Sequence, residues 1–107
     1  MVEIEEPEEV LTGDIFPIEI LEGSEIEGSP DYEPDAAVVE KGNIIEWTNA
    51  DSVFHTVTSK ADFGETFDSV LIDAGDVYLL DTSKLDAGEY EYFCSVHPWM
   101  VATITIE

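Results

Sequence analysis

The sequence predicts an all-β fold, a single sandwich of short strands, and three observations carry the prediction. Apolar residues alternate with polar ones over runs of four to eight residues, as in 44–49 (I-I-E-W-T-N), 89–94 and 101–106. Turn signals separate these runs: Lys41-Gly42-Asn43, Ala50-Asp51-Ser52, Asp73-Ala74-Gly75-Asp76 and Leu85-Asp86-Ala87-Gly88. No stretch of helical length shows an apolar stripe at i, i+3, i+4 with caps. Short strands joined by tight turns favour an antiparallel arrangement.

The elements follow in order. Residues 1–12 carry a run of Glu and read as an acidic lead-in, although Val2 and Ile4 alternate with Glu as in an edge strand. Residues 13–107 form the domain. Residues 14–21 (D-I-F-P-I-E-I-L) suit an edge strand, since Pro17 cannot donate to a ladder. Residues 22–37, rich in Gly, Ser, Pro and acids, read as a long surface loop whose Tyr32 can fold back onto the body. Val38-Val39 opens the β pattern. In 44–49, Ile45, Trp47 and Asn49 share one face. Residues 54–58 (F-H-T-V-T) read as a strand start, and Val70-Leu71-Ile72 and 77–80 continue the β pattern on either side of the turn at 73–76. Further on, Tyr90 and Tyr92 share a face, and Ala102, Ile104 and Ile106 point one way in the last strand.

Length and charge bound the function. A chain of 107 residues supports one core. Against 26 Asp and Glu stand 3 Lys and Arg, a formal charge of −23. Such a surface suits high ionic strength, where screening tames self-repulsion, or the steering of a positively charged partner. It excludes nucleic acid and anionic membrane surfaces, which need basic side chains. Like charge also favours a monomer. One cysteine rules out an intrachain disulfide. No apolar run is long enough to span a bilayer, and the first residues lack the basic and apolar regions of a signal peptide.

Apart from Met1, the chain has one Cys, two His and one Met. Three of these four fall in Cys94-Ser95-Val96-His97-Pro98-Trp99-Met100, and His55 lies 39 positions before Cys94. Thiolate and thioether are soft ligands and imidazole is intermediate. Two His, one Cys and a weak axial Met are the donor set of blue-copper electron-transfer sites. Structural zinc takes four strong ligands, and iron-sulfur clusters need more thiolates. Cys94 is expected to end one strand and Met100 to begin the next, so that Cys-x-x-His-x-x-Met is one tight loop.

The region 38–107 resembles the plastocyanin, amicyanin and halocyanin branch of the cupredoxins. The resemblance rests on Lys41-Gly42-Asn43-Ile44-Ile45-Glu46-Trp47-Thr48-Asn49, His55-Thr56-Val57, Phe67-Asp68-Ser69, Gly88-Glu89-Tyr90-Glu91-Tyr92-Phe93-Cys94, and the short Cys94 to Met100 loop. It implies a Greek-key sandwich or barrel of about eight strands and one type 1 copper, with reversible one-electron transfer. The site would comprise His55, Cys94, His97 and Met100. His97 would be the electron port, with Pro98 and Trp99 in a docking patch for a redox protein bearing a positive surface. The Thr56 N–H would donate to the Cys94 sulfur, and Asn49 or Ser95 would tie the ligand loops together. An extracytoplasmic setting follows from the same resemblance.

The chain departs from the family pattern at Thr56 (often Asn), Ala102 (often Gly), Val70 (often Gly) and Ala74 (often Pro). The first two touch the site and would leave the axial position weaker or more open. An open copper would admit a small ligand such as nitric oxide, giving a redox enzyme as the alternative function. A Cys94–His97 nucleophile leaves Met100 without a role. A plain binding sandwich would leave all four residues without one.

Overall fold

The computed structural model describes residues 13–107. The acidic lead-in 1–12, with its alternating Val2 and Ile4, lies outside the described residues.

Among the described residues, eight strands form two packed sheets. They are β1 (Ile15–Ile20), β2 (Tyr32–Glu33), β3 (Ala36–Val39), β4 (Ile44–Asn49), β5 (Thr58–Ser59), β6 (Val77–Asp81), β7 (Gly88–Cys94) and β8 (His97–Ile106). One sheet has the order β2-β1-β4-β6 and the other β3-β8-β7-β5. A 3-10 turn, Thr82–Lys84, follows β6 and is capped by the Asp81 side chain. The architecture is a sandwich, not a closed barrel.

Alternation delivers the core. In β4, Ile45, Trp47 and Asn49 are buried while Glu46 and Thr48 are half-buried. In β8, Met100, Ala102, Ile104 and Ile106 face inward from alternate positions. Between the sheets, Trp47 Nε1 donates to Tyr92 Oη at 3.2 Å. The rings of Trp47 and Tyr92 meet edge-on at 5.4 Å, and Tyr32 packs on Tyr92 at 4.8 Å. Buried Tyr and Trp each need a partner for their polar tip, and here they satisfy one another.

Three expectations are corrected. First, the sheets are mixed. β1 pairs parallel with β4, and β3 parallel with β8. Local turn signals specify hairpins only, so the long-range parallel pairings leave no mark in them.

Second, residues 14–21 form an edge strand over only part of their length. The loop after β1 returns, with Leu21 N–H on Asp31 O, and lays β2 along its end. Pro17 is still tolerated. β2 covers only Glu19 and Ile20, and on the other side Asp14 O accepts from Ile44 N and Ile20 O from Ala50 N, at positions that alternate out of step with Pro17.

Third, 54–57 and 70–72 do not form strands, and β5 begins only at Thr58. His55 and Ile72 exchange one isolated pair of hydrogen bonds. Beyond it, Thr56 N–H donates to Cys94 Sγ and Val57 N–H to Ser69 Oγ. Side chains take the donors that a ladder would have used.

Candidate metal centre

The site lies at one end of the sandwich, where β7 hands over to β8. The turn there is shorter than the spacing suggests. Only Ser95 and Val96 lie outside strands, and His97 already belongs to β8. A register shift at Phe93/Cys94 brings Cys94 opposite His97. Met100 follows on the inward face, fully buried. His55 arrives from the facing segment, clamped by its bridge to Ile72.

The donor atoms converge. Cys94 Sγ lies 3.5 Å from His97 Nδ1 and 3.8 Å from His55 Nδ1. One ligand atom from each of these three residues falls within 4.8 Å of the others. The two imidazoles lie 4.7 Å apart, centre to centre. His55 and Cys94 are wholly buried, whereas His97 is partly exposed beside exposed Pro98 and Val96. Trp99 is half-buried, edge-on to His97 at 5.4 Å, and its Nε1 donates to Ser24 O at 3.4 Å.

The electrostatics ease ionisation of the thiol. Burial opposes ionisation of Cys94, but His55 and the N–H groups of Thr56, Val96 and His97 outweigh it and hold the thiol below its ordinary value. Burial likewise disfavours charge on His55, and is overcome by the Cys94 sulfur and the Asp51 carboxylate. His97 is pushed down by burial and by His55. Two imidazoles and a thiol converging on one point, with the buried Met100 thioether three residues beyond His97 in β8, suit a soft-to-intermediate metal.

The residues around the ligands form a brace. Thr56 N–H donates to Cys94 Sγ at 3.3 Å. Thr56 Oγ1 accepts from Ser95 N at 2.8 Å, tying the Cys94 turn to the His55 segment. Asn49 instead holds the His55 side. Its Nδ2 donates to Val53 O and Ile72 O, and its Oδ1 accepts from Asp51 N, each at 2.9 Å.

Two site residues are not legible from the sequence. Asp51 reads as part of a turn, yet it is buried, with Oδ2 2.7 Å from His55 Nε2. Ser24 reads as surface loop, yet it is fully buried with Oγ 3.4 Å from the same nitrogen. Residues four apart across a turn, or 31 apart through a loop, carry no local signature of contact.

A centre of two imidazoles and one cysteine sulfur at the end of a β-sandwich, with a buried methionine on the same strand as one of the imidazoles, defines a mononuclear metalloprotein class. The profile of copper binding proteins, plastocyanin/azurin family, matches residues 19–107. The chain belongs to that family.

Solved structures agree. A purple cupredoxin from Nitrosopumilus maritimus is 30% identical, with TM-score 0.77, over 85% of this chain and 98% of that one. An oxidised amicyanin variant is 25% identical, with TM-score 0.70, over 92% and 87%. The Cu(I) form of another amicyanin variant is also 25% identical, with TM-score 0.67 and the same coverage. A search of curated protein sequences gave no significant match. The family and the donor set together make this a copper electron-transfer protein with a single copper site.

Proposed function

We propose that His55, Cys94, His97 and Met100 are the ligands of one type 1 copper, and that His97 is the route by which the electron enters and leaves. The observation that carries the reading is the convergence of His55 Nδ1, Cys94 Sγ and His97 Nδ1 around a buried cysteine. Bound there, copper would cycle between Cu(II) and Cu(I) and so supply one-electron chemistry.

The chain's own residues do the rest. The strands and the Thr56–Ser95 brace hold both imidazoles and the thiolate in place, so little needs to move when the charge changes. The Thr56 N–H withdraws density from the sulfur. Burial of His55, Cys94 and Met100 keeps water from the centre, while the partly exposed His97 ring gives access from outside.

The partner in this reading is a redox protein with a positive face, met at Pro98 and the exposed edge of Trp99. Opposite charges speed such encounters, and the rate falls as salt rises. An extracytoplasmic location and a monomeric state fit the family and the acidic surface. Among the described residues no helix is long and apolar enough to cross a membrane.

Copper(II) titration of the purified chain, followed by visible absorption and electron paramagnetic resonance, tests the assignment. The parent should gain an intense thiolate-to-copper band at one equivalent, and Cys94→Ser should lack it. A parent that stays colourless, or whose Cys94 still reacts with alkylating reagents after copper addition, would overturn it.

A further inference from the structure

The arrangement behind His55 has no role in the account above. His55 presents Nδ1 to the cysteine sulfur and Nε2 to Asp51 Oδ2, at 2.7 Å. Both side chains are sealed from solvent, at 0% and 1% exposure. The other carboxylate oxygen, Oδ1, accepts from Gly23 N at 3.1 Å and Ser52 N at 2.8 Å. The backbone of two separate segments therefore pins the carboxylate, leaving one oxygen aimed at the ring. Ser24 Oγ also approaches that nitrogen, at a looser 3.4 Å.

We propose that Asp51 is a positioning residue for copper: a buried anionic tether that fixes the tautomer of His55 and biases the centre toward Cu(II). The inference rests on the copper reading above and deepens it. A carboxylate on the distal nitrogen keeps the proton at Nε2, leaves the Nδ1 lone pair for the metal and raises the basicity of the ring. Reduction adds one negative charge to the centre. Asp51 opposes that charge from within a low-dielectric pocket, where screening by salt is weak. A neutral acceptor in its place would orient the ring without the charge. A neutral acceptor and a carboxylate thus predict different potentials for similar geometry.

The test compares parent, Asp51→Asn and Asp51→Ala, each loaded with one copper, by spectroelectrochemistry in low and high salt. Both variants should favour Cu(I) by about tenfold, about 59 mV for a one-electron couple. The offset from parent should persist in high salt. Cu(II) affinity should fall by about 10–100-fold, and Cu(I) affinity by less. A purely structural Asp51 would lower the denaturation midpoint and leave the potential in place. A shift below about threefold, or one toward Cu(II), would overturn the proposal.

If neither variant takes up copper, the Cu(I)-loaded parent decides by nitrogen-15 NMR. A slowly exchanging proton on His55 Nε2 supports the tether, and a proton on Nδ1 overturns it. A parent that never develops the thiolate-to-copper band would sink the copper reading itself. A coloured parent whose variants keep its potential would sink only the tether.

Discussion

Asn49→Ala should loosen the His55 side of the centre without touching a ligand. The Asn49 amide is buried and makes three hydrogen bonds, to Val53 O, Ile72 O and Asp51 N. Each is worth about 1 kcal/mol net. Ile72 O keeps a second donor in His55 N, but Asp51 N–H loses its acceptor while buried. The expected loss is about 3–4 kcal/mol, about 12–30 °C in Tm for a domain of this size. Val53 and Ile72 flank His55, so the loss falls on the segment that presents a ligand. If copper release passes through opening of this segment, about 3 kcal/mol speeds it by about two decades. Urea denaturation of the copper-free protein gives the first number, and transfer of copper to a chelator gives the second. A stability change under about 1 kcal/mol would refute the reasoning, because the three bonds would then not be holding the segment.

Three other outcomes are expected. Val70 sits at φ 52° with 68% exposure, a left-handed conformation that a β-branched residue adopts at a cost of about 1–2 kcal/mol. Val70→Gly should stabilise the fold by about 0.5–1 kcal/mol after the entropy of glycine in the unfolded chain is counted, and loss of stability in calorimetry would argue against strain there. Asp62 accepts from Ser59, Thr66 and Glu65, which pull its carboxyl down to about 2 from 3.8. A depressed folded pKa gives stability that is present above the unfolded value and lost as pH falls through the folded one. The gap between parent and Asp62→Asn should therefore be constant near neutrality and close between about pH 4 and pH 2; a gap independent of pH would refute the role. Finally, with His55, Cys94 and Met100 buried, nitric oxide or azide should leave the spectrum of the oxidised protein unchanged. A new band on adding either would favour the small-ligand enzyme instead.

Much of the fold was legible because strand periodicity is a local property. Ile45, Trp47 and Asn49, and Ala102, Ile104 and Ile106, declare their faces through spacing alone, and the structure buries them together. The parallel partners of β1 and β3 were not legible, since register between distant strands is set by the packing of the whole core. The strand expected from 54 begins only at Thr58, for a related reason. The N–H groups of Thr56 and Val57 go to a cysteine sulfur and a serine hydroxyl that only the folded chain brings near.

The sequence by itself determined the chemistry: one thiol, two imidazoles and, apart from Met1, one thioether, three of them within seven residues, which favours copper by ligand softness. It also determined the all-β class, through alternation and turns. Only the tertiary structure decided which groups stand behind those donors. Asp51 and Ser24 meet His55 across a turn and a loop, and Thr56 meets Cys94 from 38 residues away. The physical reason is range. Donor type and periodicity reside in neighbouring residues, whereas hydrogen-bond partners and buried charge arise only when the sheets close on each other and exclude water.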